Sequence, residues 1–228
     1  AGGWNNNANA SYSTVGGGFN NSATTYSSVV AGGDGNTAAG SSSTIGGGTN
    51  NSAAGGQSTI AGGGGNTASG GYSIVGGGRN NTASGYYSTV SGGYSNTASS
   101  YFSNVSGGYN TATGNYSTVG GGRNNTASGS SATIAGGWEN TASGAGSFIG
   151  GGRSNTASGN YSTVGGYGND TVGVASTIGG GYINIASGDY STVSGGLSNT
   201  ASGGCSTIGG GYINTASGTY LTVSGGRC

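Results

Sequence analysis

One aliphatic residue returns at a fixed step through the whole chain: Val15, Val30, Ile45, Ile60, Val75, Val90, Val105, Val119, Ile134, Ile149, Val164, Ile178, Val193, Ile208 and Val223. The step is 15 residues, shortened to 14 only from Val105 to Val119 and from Val164 to Ile178. A short, strict period constrains the architecture more than any other feature, because each unit can bury its apolar residue only against its neighbours. The stretch Gly76 to Val90, GGGRNNTASGYYSTV, is a representative unit. Fifteen units fill residues 1–223 and a partial one occupies 224–228, so the chain reads as a single repeat domain over 1–228.

Composition matters here for what it excludes. Fifty-nine glycines and 4% charged residues would fit a disordered tract, but a flexible linker has no use for Val or Ile at every fifteenth place. Collagen is excluded, since Gly does not fall at every third residue and Pro is absent. No run approaches the roughly 20 apolar residues of a membrane-spanning helix. Zero net charge, with four Arg and no Lys, gives no electrostatic case for nucleic acid. The absence of His removes the commonest general base and metal ligand. There is no initiator Met, and the chain reads as a processed or excised segment.

Numbering the unit from Gly76 as position 1 sorts its chemistry. Position 2 is Gly in all fifteen units and position 3 in fourteen, and position 10 is Gly in twelve. These glycines read as two corners, leaving two short runs, NNTAS and xYSTV, that alternate with period two and so read as strands. Alternation puts Val or Ile at 15 and Ser at 13 on one face, with Tyr at 12 and Thr at 14 on the other. In the first run Asn at 6 and Ala at 8 point in, Thr at 7 and Ser at 9 point out, and Val172 takes the alanine's place in the twelfth unit. Stacked inward asparagines then form an amide ladder. The expectation is an all-β parallel β-solenoid, a β-roll of about 15 coils of 15 residues. At about 4.8 Å per coil it would be on the order of 70 Å long.

The segment Ala83 to Gly92, ASGYYSTVSG, carries the pattern AxGxxSxAxG with Val90 for the last Ala. It resembles the head repeats of trimeric autotransporter adhesins, the YadA-like heads, and related bacterial and phage fibre modules. The resemblance covers essentially the whole chain and draws its force from repetition. It implies a left-handed roll, three chains about one axis, and an adhesive or spacer role at the cell surface. Most coils here have 15 residues where that family has 14, the extra one lying in the GGG corner, and its NSVAIG turn does not occur.

Outward positions hold the candidate sites. Position 4 collects every arginine (Arg79, Arg123, Arg153, Arg227) and the large aromatics Trp4, Phe19, Tyr94, Tyr109, Trp138, Tyr182 and Tyr212. Too large for a thin core, they read as a seam to another chain or a stacking surface for glycans, since Arg and aromatics are enriched at interface cores. Position 12 gives a second row: Tyr12, Tyr72, Tyr87, Tyr116, Tyr161, Tyr190 and Tyr220. The Thr-Ala-Ser of positions 7 to 9 forms a hydroxyl array like that of some ice-binding solenoids, although Asn7, Ser22, Ser52 and Ile185 interrupt its Thr column.

Weaker signals complete the inventory. Gly165 to Gly173 fits the calcium nonapeptide GGxGxDxUx through Asp170, but no neighbouring copy carries that Asp. The glycine corners lack the GK[ST] of a phosphate loop. Asp34, Glu139, Asp170 and Asp189 lie in different coils, with no pair poised for acid–base work. Cys205, at position 12, and Cys228, at position 5 of the partial unit, are disulfide candidates, within one chain or between chains, with free thiols as the alternative. Together these readings predict a non-catalytic extracellular structural or adhesive rod without a cofactor. Its partners are expected to be copies of itself, as a homotrimer or a head-to-tail filament, and a glycan or surface receptor. Ice binding is the rival.

Overall fold

The computed structural model describes residues 2–227 and is a parallel β-solenoid without helices. Two compact units divide the chain, residues 1–116 and 117–228. In the first, strands from Asn7–Ala8 to Thr111–Ala112 make one parallel sheet, and strands from Thr14–Val15 to Asn104–Val105 make a second. The other unit repeats the plan, with one sheet from Thr126–Ala127 to Thr215–Ala216 and the other from Thr118–Val119 to Thr222–Val223. Register is one coil per step: Thr82 pairs with Thr97 and Ala83 with Ala98, while Thr89 pairs with Asn104 and Val90 with Val105.

Each strand is only two residues long, one facing out and one in. The inward residues are the period-15 aliphatics and the alanines of position 8, which from Ala23 onward are almost all fully buried. Ser of position 13 and Asn of position 6 share that interior. In the twelfth unit the expectation needs correction. Thr171, not Val172, pairs with Ala157 and Ala186 and is buried, whereas Val172 is exposed. Thr171 brings its own solution to burial, its Oγ1 donating to Ser162 Oγ at 3.0 Å.

The inward asparagines form the amide ladder, and it does more than join side chain to side chain. Asn81 Nδ2 donates to Gly77 O in its own coil and to Gly93 O in the next, both at 2.9 Å. Its Oδ1 accepts from the Asn96 amide at 3.0 Å. One side chain thus satisfies the Gly77 carbonyl and the Asn96 amide, and adds a second donor to Gly93 O, which already accepts from the Arg79 amide at 2.9 Å. Asn81→Ala takes the partner from one carbonyl and one amide and should destabilise by about 2 kcal/mol, read by chemical denaturation. Loss of less than about 1 kcal/mol would mean that water replaces the ladder.

Two features depart from the sequence reading. The residue at position 12 is not in a strand: Tyr12, Tyr72, Tyr87, Phe102, Tyr116, Tyr161, Tyr190, Cys205 and Tyr220 all have φ between 53° and 62°. The left-handed conformation turns the chain between positions 10 and 13, and a second such turn sits at position 5, as at Asn50, Asn80 and Ile183. The other departure is a third ladder, of single parallel bridges, that runs up position 4 from Trp4 to Gly108 in the first unit and from Arg123 to Arg227 in the second.

Candidate functional site

The position-4 ladder brings the seam candidates of each unit into a column, with two corrections. Where a coil is short, the missing residue is the first of the glycine corner. Asn110 and Asn169 keep their bonds to the residue four places back, Ser106 and Gly165, which therefore stand at position 2. Gly108 consequently bridges Tyr94 and holds position 4, while Tyr109 moves to position 5 and turns with φ 55°. In the other short coil Tyr167 enters the column, bridging Arg153 and Tyr182. The remaining candidates, Trp4, Phe19, Arg79, Tyr94, Arg123, Trp138, Arg153, Tyr182, Tyr212 and Arg227, stand at position 4 as expected.

Within the column, neighbours stack. The Arg153 guanidinium lies 4.1 Å from the Trp138 ring centroid and 5.8 Å from that of Tyr167, and its Nε is 3.5 Å from Glu139 Oε2. Tyr167 and Tyr182 stack at 4.9 Å, 7° from parallel. Trp4 meets Phe19 at 4.9 Å, and Arg227 sits 5.8 Å above Tyr212. Exposed cation–π contacts of this kind each contribute about 0.5–1 kcal/mol. The column is irregular, however, because Asp34, Thr49, Gly64 and Gly108 interrupt the large residues.

A denser aromatic patch lies at positions 11 and 12 of the first unit. Tyr72, Tyr87, Phe102 and Tyr116 stack coil on coil, at 4.8, 4.8 and 5.6 Å. Tyr86 and Tyr101, at position 11, meet them edge-on. That second column has no signature in the repeat, since position 11 is otherwise mixed. A left-handed turn at 12 puts both side chains on the outside, which a plain strand would not do.

The Thr of position 7 and the Ser of position 9 face outward as expected, on either side of the buried Ala. Thr82, Thr97 and Thr111 are half-buried, and Ser84, Ser99 and Thr113 are exposed beside them. Asp170 replaces the Thr of this column, between Thr156 and Ile185. Burial holds its carboxyl above the usual range, and its Oδ1 has no hydrogen-bond partner. Among the described residues no three His, Cys, Asp or Glu side chains converge on a metal position. Asp189 accepts from the Val174 amide at 2.8 Å. Cys205 is exposed, and Cys228 lies outside the described residues.

Strain also marks the surface. Ile183 and Ile213 adopt φ of 51° and 55°, which suits neither a β-branched residue nor its rotamers. Asn holds the same place in other coils, as at Asn50 and Asn80. Ile183→Asn should therefore stabilise by about 1 kcal/mol, seen as a higher midpoint in thermal melts. A lower midpoint would mean that Ile183 packing outweighs the strain.

No protein-family model matches the chain. A search of curated proteins finds none similar enough to count as a relative. The resemblance to YadA-like heads therefore rests on the repeat motif alone.

Proposed function

We propose that the chain is a non-catalytic extracellular structural or adhesive element, the subunit of a surface fibre or filament. One observation supports this most: the repeated core is filled and closed, and the chemistry that varies stands in outward columns. Two of the four acids serve local structure, Glu139 facing Arg153 and Asp189 fixing a turn amide. Aromatic and Arg ridges are suited to burial against another copy, as homotrimer or head-to-tail filament, because such residues dominate interface energetics. Light scattering and electron microscopy of the purified chain test it. Multimers at micromolar concentration are expected, and a strictly monomeric chain would remove the reading.

A second reading, ice binding, is favoured by the Thr-x-Ser grid. Ser22, Thr37, Ser52, Thr67, Thr82, Thr97 and Thr111 are successive partners in one sheet of the first unit, so hydroxyls follow one another without a break. Ser22 and Ser52 interrupt the methyl groups of that column but not its hydroxyls. Coils spaced about 4.8 Å apart give the grid a regular pitch suited to ordering water. Thermal hysteresis is the test. A freezing gap abolished by Thr97→Tyr would put this reading first, and its absence in the parent chain would end it.

A further inference from the structure

The position-4 ridge of the first unit is broken by a notch. Gly64 and Gly65 occupy positions 4 and 5 of their coil and carry no side chains, while Thr49 and Asn50 stand on one side and Arg79 and Asn80 on the other. These six residues line an open cavity of about 320 Å³. That is the lower end of the roughly 300–1,000 Å³ of small-molecule sites, about the room for one sugar ring.

The floor is already satisfied. Gly64 N donates to Gly78 O, Gly65 N to Thr49 O, and Asn80 N to Gly64 O, each at 2.9 Å. A ligand must therefore be held by side chains. Asn80 leans back over the floor, its Oδ1 within 2.6 Å of where a Cβ on Gly65 would stand. Arg79 is exposed, and among the described residues no carboxylate pairs with it. The one acid on this side of the ridge, Asp34, is three coils from Arg79, about 14 Å at strand spacing. That exceeds the roughly 8 Å over which salt screens exposed charges. Tyr94, the next residue of the ladder beyond Arg79, packs away from the notch against Tyr109, with ring centroids 5.1 Å apart.

We infer that the notch binds a carboxylated sugar residue. A guanidinium forks onto a carboxylate with two parallel hydrogen bonds. The Asn80 carboxamide and the Thr49 hydroxyl can donate to and accept from ring hydroxyls, while the Asn50 amide leans the other way, over Gly35. A bare anion would use the Arg alone and leave the Asn80 amide idle, and a neutral sugar would leave the Arg idle. The inference deepens the adhesive reading above and rests on it, naming the chemistry that such an element would grip.

The test is binding of galacturonic acid to the purified chain, followed by NMR shifts or calorimetry, with galactose and sodium acetate as comparison probes. Galacturonic acid should bind at least tenfold more tightly than either. Arg79→Gln should weaken it at least tenfold. Gly64→Tyr should do the same by filling the notch, and the fold accommodates it. The nearest atom to a Cβ there is Thr49 O at 3.8 Å, and Tyr stands at position 4 in other coils. Both variants should melt like the parent. Equal binding of galactose or of acetate would overturn the proposal, as would full retention of binding by both variants. Light scattering separates the two readings: a monomeric parent that still binds galacturonic acid removes the fibre and supports the notch. A multimeric parent indifferent to the sugar removes the notch and leaves the fibre.

Discussion

Gly78→Ala should destabilise the protein by roughly 3 kcal/mol or more, while the same substitution at Gly64 should be neutral within about 0.5 kcal/mol. Gly78 has φ +83°, and a Cβ built on it would stand 2.1 Å from Gly93 O, 2.7 Å from Gly93 N and 2.8 Å from Asn81 Nδ2. Three penalties coincide: a left-handed alanine, a collision with the next coil's backbone, and displacement of the amide ladder. The Asn81 side chain could move, but the two nearer colliding atoms are main chain and cannot. At Gly64 the nearest atom is 3.8 Å away and φ is not positive, so a methyl group meets open space. Urea denaturation of the pair measures the contrast directly. Similar stabilities would mean that adjacent coils separate easily, and that the close packing of corner on corner contributes little.

Val90→Asp against Thr89→Asp is the second large contrast. Val90 is fully buried between Val75 and Val105 in the same sheet. Nothing charged lies inside to pair with a carboxylate, and the alanines, serines and asparagines of the interior offer no cation. An ionised group there should lose about 4 kcal/mol or more, enough to unfold its coils at neutral pH. The penalty should shrink as pH falls, because protonation removes the buried charge while leaving a buried hydroxyl. Thr89, one residue earlier, faces out beside Ile74 and Asn104, and an Asp there should change stability by under about 1 kcal/mol. Circular-dichroism melts at neutral and acid pH distinguish the two. If the Thr89 variant melts earlier, inside and outside are exchanged.

Much of this fold was legible because one period controls it. The aliphatic column, the inward Asn and the outward Thr followed from spacing and alternation, and the structure keeps each of them. Position 12 was not legible: Tyr is a good strand former, and only the geometry of a closed coil forces Tyr87 or Tyr116 into a left-handed turn. Short coils misled for a related reason. Spacing says that a residue is missing but not which one, and it is the bonds to Ser106 and Gly165 that put Tyr167 in the ridge and Tyr109 outside it. Val172 is the more apolar residue, but register decides what is inside, and Thr171 has a hydroxyl partner there. The notch has no motif of its own, because it is built from two missing side chains, at Gly64 and Gly65.

The short coils also bear on how such a chain changes length over generations. Gly165 does the work of two corner residues, its amide donating to Ile178 O at 3.2 Å and its carbonyl accepting from Asn169 Nδ2 at 2.6 Å. Every other coil-to-coil bond is kept around it. A corner that tolerates such a loss forgives small slips in the reading of a repetitive gene, provided they remove whole codons. Loss or gain of an entire unit is gentler still, because each coil meets its neighbours through the same Thr, Ala, Val and Asn positions. Unequal recombination between the gene's near-identical segments should therefore yield alleles with different unit numbers that still fold. Single-codon deletions should be best tolerated at the first corner place, where both short coils lack a residue.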